Sequence, residues 1–238
     1  FLAGIGLTDV FVYPSPLVSI IVTGNELQVP GEDLTYGQVY ESNSYSLKTA
    51  LEGLKISVHM IYRVEDQLDA LTKTLAHALE NSDIVLLTGG ISVGDYDFTL
   101  KAALLCGVEQ IFHKIRQKPG KPILFGKKGN RLVFGLPGNP ASVLTCFYEY
   151  VLEAIGALQS MPVTMDHSIA TLTNSVKKPA GITWFLKGLC DSTTVMSLDA
   201  QESYKLNSFA RANCLIKLPE DVTICQPGDR VEIHLLPI

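Results

Sequence analysis

The chain has 238 residues, of which 47% are hydrophobic and 18% charged, with a formal net charge of −5 at pH 7. This size suits one large or two unequal globular domains, and the acidic balance argues against general nucleic-acid binding, which needs a surplus of Lys and Arg. No apolar run reaches the roughly 18 residues that span a bilayer, and the five cysteines form no CxxC pair, so we expect free thiols, a cytoplasmic location and no membrane partner.

The first sixteen residues differ in character from the rest of the chain. Phe1 to Leu7 carry no basic residue and no initiator Met, so a signal peptide is not predicted. Pro14 and Pro16 restrict the preceding residues to extended geometry. We interpret residues 1–16 as the remnant of an upstream domain or linker, and the missing Met indicates a fragment.

From residue 17 onward, short β-branched runs alternate with segments of helical spacing. The predicted strands are Leu17–Val22, Ile56–Tyr62, Ile84–Leu87 and Leu132–Phe134, and the predicted helices are Asn43–Leu54, Asp66–Glu80, Asp97–Cys106 and Pro140–Ile155. This alternation predicts an α/β fold with a mostly parallel sheet between helices over residues 17–158.

After Met161 the pattern changes to short β-like runs between turn residues. These runs are Thr183–Leu189, Thr194–Leu198, Cys214–Lys217 and Val231–Leu235. They predict a small all-β domain over residues 159–238.

The segment Leu87 to Asp97 has the strongest chemical signal. Thr88-Gly89-Gly90 follows a buried strand, so it lies at the carboxyl edge of the sheet, where its bare amides suit a phosphate. Ser92 adds a hydroxyl, and Asp95 or Asp97 offers the oxygen ligands that Mg²⁺ prefers. Alternatively, the glycines serve only a tight turn and Asp97 only caps the next helix.

Two further loops have the composition of anion-binding segments. Lys114, Lys118 and Lys121 concentrate positive charge in a proline-stiffened loop, which either binds an oxyanion or forms a solvated basic edge. Pro140 then starts a helix, so Asn139 and the N–H groups of Ala141 and Ser142 face any ligand at its N-terminus.

Two more acidic residues and the histidines are further candidates. Glu26 follows the first strand at the same sheet edge as Asp97. Either the two carboxylates share a metal ion there, or Glu26 only caps or solvates a loop. Asp66 opens a helix, and capping is the simpler interpretation. His113 alone borders a candidate site. The other four lie on unrelated segments, so no His-based zinc site is predicted.

Taken together, five motifs resemble the molybdopterin molybdenumtransferase family, represented by MoeA and the gephyrin E domain. They are Thr23–Leu27, Gly37–Asn43, Thr88–Asp97, Lys118–Pro122 and Gly135–Pro140, in family order. The resemblance implies a MogA-like, molybdopterin-binding α/β domain followed by the family's small C-terminal barrel.

The resemblance also implies an activity, which is insertion of molybdate into adenylylated molybdopterin with release of AMP. It implies a Mg²⁺ cofactor, an adenylyltransferase partner protein that supplies the pterin nucleotide, and a homodimer in the full-length form. By the same resemblance, Asp97, Glu26 and Asp66 are the catalytic acids, with Asp97 and Glu26 on the metal. The implied substrate-binding residues are Thr88, Gly89, Gly90, Ser92, Gly94, Asp95, Lys114, Lys118, Lys121, Pro122, Pro137, Asn139, Pro140, Ser142, Lys187 and Ser203.

The chain departs from the family pattern in the second domain and at its start. Lys187 stands where the family usually has Arg, and an ammonium cannot reproduce a bidentate guanidinium fork, so molybdate affinity is expected to fall. The family also has a glycine next to the serine that corresponds to Ser203, and this chain has none there. Because family members carry much more chain before residue 1, this fragment is expected to bind ligand without turnover.

The sequence alone leaves two alternatives open. One is a molybdopterin adenylyltransferase, which shares the first domain's fold and its Gly-Gly loop. The other is a dimerising scaffold that binds partner peptides without catalysis.

Overall fold

A computed structural model of the protein describes residues 1–90, 97–161 and 164–237. The strands of its first unit are β1 Val18–Thr23, β2 Leu27–Gln28, β3 Val39–Tyr40, β4 Val58–Val64, β5 Ile84–Thr88, β6 Glu109–His113, β7 Gln117–Lys118, β8 Leu124–Lys128 and β9 Arg131–Leu136. Six of them form one sheet in the order β4-β1-β5-β9-β8-β6, in which β4, β1, β5 and β9 are parallel and β8 is antiparallel to both neighbours.

Helices cover both faces of this sheet. They are α1 Asn43–Gly53, α2 Leu68–Asn81, α3 Phe98–Leu105, and a continuous helix that comprises α4 Pro140–Cys146, a π-helical turn Phe147–Val151 and α5 Leu152–Leu158. Alternating residues of β1 show the layering, because Ile20 packs in one core with α1 and α4, while Ile21 packs in the other with α2 and α3. The predicted α/β class is therefore confirmed.

The C-terminal unit is a small β barrel, as predicted. Its strands are β10 His167–Leu172, β11 Val176–Lys177, β12 Thr183–Cys190, β13 Thr194–Ser197, β14 Cys214–Leu218, β15 Ile224–Cys225 and β16 Arg230–Leu235. The order β13-β10-β16-β14-β12 closes because β12 also pairs with β13. Its interior is apolar, and Val195, Ile216 and Ile233 are almost fully buried there.

The two units are joined by backbone pairing as well as by packing. The short strand β7, which belongs to the first unit in sequence, pairs in parallel with the start of β12 through Gln117–Thr183 and Lys118–Trp184. A separate apolar cluster fills the junction and includes Ala141 and Leu152 of the helix together with Phe185 and Leu215 of the barrel. The loop after β7 is thus held between the two units.

The helix Pro140–Leu158 is also long and apolar enough to cross a membrane, with a mean hydropathy of 1.3. However, 56% of that stretch is buried inside the protein, where Val143, Phe147 and Val151 pack against the sheet. Burial to this extent is typical of a helix in the core of a globular protein.

Gly89, at the end of β5, is required by close packing of the backbone. It has a φ of +86°, and a Cβ there would lie 1.8 Å from the carbonyl oxygen of Thr23 on the neighbouring strand. This finding supports the turn interpretation of Gly89, because the space beside its Cα is occupied by the protein itself.

Substituting Gly89 should therefore cost far more than substituting an unconstrained glycine. We expect Gly89→Ala to lower the free energy of unfolding by about 3 kcal/mol or more, since it combines backbone strain with a clash that only strand separation relieves. Gly53→Ala is the matched control, because nothing lies within 4 Å of that position, and it should be neutral or stabilising by up to about 1 kcal/mol. Urea unfolding of both variants measures the difference, and equal stabilities would contradict the packing argument.

Candidate functional site

A cavity of about 430 Å³ lies at the junction of the two units and contains many of the predicted site residues. The predicted members are Lys118, Lys121, Pro122, Pro137, Asn139, Ser142 and Ser203, and the cavity is completed by Gln117, Pro119, Gly120, Gly138 and Gln201. A larger cavity of about 520 Å³ between α1 and the helix Pro140–Leu158 contains none of the predicted residues.

Gln117 fixes the lysine loop that forms one wall of this cavity. Its side chain is buried, donates from Nε2 to the carbonyl of Pro119 at 2.9 Å, and accepts a short hydrogen bond from the Tyr150 hydroxyl. Burial raises the pKa of Tyr150, so this hydroxyl keeps its proton for the bond. Gly120 follows with a φ of +95°, and a Cβ there would meet the Cys146 sulfur. The loop is thus pinned against the helix before it reaches Lys121.

Ser203 of the barrel closes the cavity over the start of α4. Its carbonyl accepts from the Ala141 amide at 2.9 Å, and its hydroxyl accepts from Asn139 Nδ2 at 2.8 Å. The expectation that the Ala141 N–H faces a ligand is therefore wrong, because this donor is used between the units. Pro140 begins the helix as predicted, and Ser142 is buried in its first turn.

The two lysines of the loop differ in their surroundings. Lys118 is exposed, and its Nζ lies 4.4 Å from the centre of the Trp184 ring, a cation–π distance. Beyond Lys118 lies a second cavity of about 410 Å³, which shares Lys118, Pro119 and Gln201 with the first. Lys121 is also exposed and lines only the first of these two cavities.

Lys187 does not present its charge to the cavity. It is 4% exposed, and Nζ donates to the carbonyls of Ala200, Glu202 and Lys205 at 2.7, 3.3 and 3.2 Å. An ammonium has three donors, and all three are used here. Burial lowers the pKa of Lys187, although the carboxylate of Glu202 opposes this effect. The expectation that Lys187 serves as a direct oxyanion ligand is corrected: its contacts hold the loop that carries Ser203.

A second group of predicted residues meets at the carboxyl ends of β1 and β5. Asp66 Oδ1 accepts from Thr23 Oγ1 at 3.4 Å, and a Cβ on Gly90 would lie 3.3 Å from the same oxygen. The capping interpretation of Asp66 is wrong, because α2 begins at Leu68 and has no side-chain cap. Thr88 is fully buried, and its hydroxyl has no hydrogen-bond partner among the described residues.

Asp97 caps α3 and faces a histidine. Its Oδ1 accepts from the Leu100 amide at 3.0 Å, and its Oδ2 lies 3.1 Å from His113 Nε2 at the end of β6. These last two atoms are buried and are not aligned as a hydrogen bond, and neither has another partner within the described part of the chain. Such a carboxylate oxygen fits a role in holding a cation or a polar group of a substrate.

The remaining predicted residues make none of the contacts described above or fall outside the described residues. Glu26 is exposed just beyond β1, and Lys114 is exposed after β6 and does not line the junction cavity. Ser92, Gly94 and Asp95 lie outside the described residues.

Sequence reasoning missed two residues that shape the cavity, Gln117 and Gln201. Gln201 pairs with both backbone groups of Lys187, accepting from its N–H at 3.0 Å and donating to its carbonyl at 2.8 Å. Glutamine has no strong motif of its own, so only its place beside Lys118 or Ser203 offered a signal.

Comparison with known proteins gives the family. Residues 19–157 match the family described as "Probable molybdopterin binding domain", which together with the α/β architecture defines a molybdopterin-binding class of protein. Residues 170–236 match the "MoeA C-terminal region (domain IV)". The chain therefore belongs to the MoeA family of molybdopterin molybdenumtransferases.

Individual relatives agree with this assignment. The chain is 35% identical to a molybdopterin molybdenumtransferase of Haemophilus influenzae, over 99% of this chain and 61% of that protein, and 31% identical to one of Staphylococcus aureus, over 98% and 57%. A crystal structure of the molybdopterin biosynthesis MoeA protein of Pyrococcus horikosii superposes with a TM-score of 0.84 at 28% identity, covering 99% of this chain and 58% of that one. The chain thus spans about 60% of the length of these relatives.

The hydrogen bonds of Lys187 lead to a prediction about the stability of the folded protein. We expect Lys187→Met to lower the free energy of unfolding by about 2 kcal/mol or more, because it removes three charge-assisted hydrogen bonds between β12 and the loop that carries Ser203. Lys205→Met is the control: that lysine forms an exposed ion pair with Glu202, so its loss should cost less than about 1 kcal/mol. Urea unfolding compares the two variants. Equal stabilities would contradict the claim that the hydrogen bonds of Lys187 hold the loop that carries Ser203.

Proposed function

We propose that the intact protein inserts molybdate into adenylylated molybdopterin and releases AMP. The observation that carries the proposal is the junction cavity, in which a lysine loop, a helix start and a barrel loop converge. The curated relatives named molybdopterin molybdenumtransferase support this activity.

The junction cavity has the chemistry of a site for a tetrahedral oxyanion. Lys118 and Lys121 offer ammonium donors, and Ser142 offers a hydroxyl next to the positive end of the helix dipole. Asn139 and Ser203 orient each other and fix the mouth of the cavity. We assign molybdate to this cavity, and the adjoining cavity beside Trp184 gives room for part of the pterin.

The acidic group at the carboxyl edge is proposed to act on the nucleotide. Asp97 and Glu26 would hold Mg²⁺, which when bound supplies positive charge to the pyrophosphate oxygens. The buried Oδ2 of Asp97 supports this role, because it accepts no aligned hydrogen bond from the described residues and lies only against His113 Nε2. Asp66, the third proposed catalytic acid, lies at the same edge, and Thr88 beside it is assigned to contacts with the substrate.

The proposal extends to the setting of the enzyme. It divides the chain at residue 158, with residues 17–158 as the molybdopterin-binding domain and 159–238 as the barrel domain. It places the protein in the cytoplasm, as a homodimer in the full-length form, where an adenylyltransferase supplies the nucleotide. The barrel and its match to the MoeA C-terminal region favour molybdate insertion over adenylyl transfer.

The catalytic assignment is tested by Asp97→Asn in the intact protein. Asn keeps the cap on α3, so folding should be retained while molybdate-dependent AMP release falls about 100-fold or more through loss of the metal-binding charge. Asp69→Asn, in the exposed first turn of α2, is the control and should be unchanged. Pyrophosphate release from ATP and molybdopterin, with no molybdate-dependent AMP release, would favour the adenylyltransferase. No turnover by a folded wild-type protein would favour the scaffold.

The binding assignment is tested on the 238-residue chain by calorimetric titration with molybdate. Lys121→Gln and Ser142→Ala should each weaken binding about 10-fold or more, because each removes a donor to a dianion. Lys127→Gln serves as the control, since that lysine forms an exposed pair with Glu109 on the far edge of the sheet. Equal molybdate affinities for all three variants would contradict the assignment of molybdate to this cavity.

A further inference from the structure

The barrel carries a cluster of ligating side chains that takes no part in the junction cavity. His167 of β10 lies directly opposite His234 of β16 in an antiparallel pair. Glu232 is two residues from His234 on the same strand, so all three side chains project from one face of the sheet. One ligand atom from each lies within 4.8 Å of the others. The histidines that the sequence places on unrelated segments are thus brought together by strand pairing.

We propose that His167, Glu232 and His234 bind a divalent transition-metal ion of the Zn²⁺ type. Two imidazoles and one carboxylate are a common ligand set for zinc, with the fourth position left to water. This site is independent of the function proposed for the junction cavity.

The orientation of His234 supports the assignment. Its Nδ1 lies 2.9 and 3.0 Å from the two carboxylate oxygens of Glu149, and its Nε2 lies 3.1 Å from Glu232 Oε1. A carboxylate on one ring nitrogen fixes the proton there, which leaves the other nitrogen to ligate a metal. Glu149 and His234 are both largely buried, so this orientation is held by the surrounding core.

The local charge balance also favours a cation. Glu149 and Glu232 bring two negative charges, and Lys217 brings one positive charge, with its Nζ 3.2 Å from Glu232 Oε2. The same Nζ lies 3.3 Å from Oε1, so the ammonium bridges both oxygens, and Oε1 is the one that also faces the two histidines. With both imidazoles neutral, the cluster carries a net negative charge, which a bound cation offsets. A proton on His234 would offset it equally, and the two cases differ in whether Zn²⁺ binding depends on His167.

Metal binding requires one movement. The rings of His167 and His234 are stacked at 3.8 Å with an interplanar angle of 4°, and an ion cannot lie in both ring planes at once in that arrangement. His167 must turn about its side-chain bonds to direct a nitrogen at the ion. Its side chain is 49% exposed, so packing does not oppose the turn. The ion would then link β10 to β16 and, through Glu149, the barrel to the helix Pro140–Leu158.

The test is equilibrium dialysis of the 238-residue protein against Zn²⁺, with Co²⁺ as a spectroscopic probe of tetrahedral coordination. Wild type should bind one equivalent that His167→Ala removes or weakens about 100-fold or more, and Glu149→Gln should weaken it roughly 10–100-fold. His59→Ala is the control, because that histidine is exposed on the distant edge strand β4, and it should bind as wild type does.

His167→Ala is preferred to a His234 variant because His167 is half exposed, and its folding is checked by thermal unfolding without metal. Zn²⁺ binding that is the same in wild type and His167→Ala overturns the proposal. So does the absence of any bound Zn²⁺ in the wild-type protein.

Discussion

The barrel is attached to the α/β unit by main-chain hydrogen bonds at the two places where the candidate cavity is formed. Gln117 and Lys118 pair with the start of β12, and the Thr183 amide donates to the Arg116 carbonyl at 3.0 Å. On the other side, the Ala141 amide donates to the Ser203 carbonyl. Because main-chain bonds fix position more strictly than long side chains do, the lysine loop and the serine loop are held at a set separation. The cavity therefore depends on the junction and belongs to neither unit alone.

This construction explains why the buried polar residues around the cavity bond mainly to backbone. Gln117 and Lys187 are buried and bond to loop carbonyls, and the half-buried Gln201 bonds from its loop to the Lys187 backbone. Buried polar groups must be satisfied, so each of these side chains commits a loop to one conformation. The exposed ammonium groups of Lys118 and Lys121 can then meet a ligand without reorganising the loops beneath them.

The regular part of the fold is predictable from periodicity, whereas the antiparallel edge of the sheet is not. The fully buried strands β1 and β5 are mostly apolar and rich in Val, Ile and Leu, as expected of central parallel strands. Strand β8 has no such signal in the sequence, because Gly126 and two lysines interrupt its pattern. A Cβ at Gly126 would meet Val108 at 2.7 Å and the Glu109 carbonyl at 2.8 Å, so this glycine is required by packing between strands distant in sequence. Local sequence propensity cannot predict a contact of this kind.

Lys187 shows the same limit for the candidate site. Resemblance identified the position, but the partner of a buried ammonium is set by the loop that returns to it, here thirteen to eighteen residues later in the chain. Three carbonyls converge on one point, which suits the compact ammonium and its three donors better than a planar guanidinium fork. The lysine at this position, which was expected to weaken molybdate binding, thus serves to bind three backbone carbonyls. It fixes the Ala200–Lys205 loop, and through Ser203 that loop reaches the start of α4.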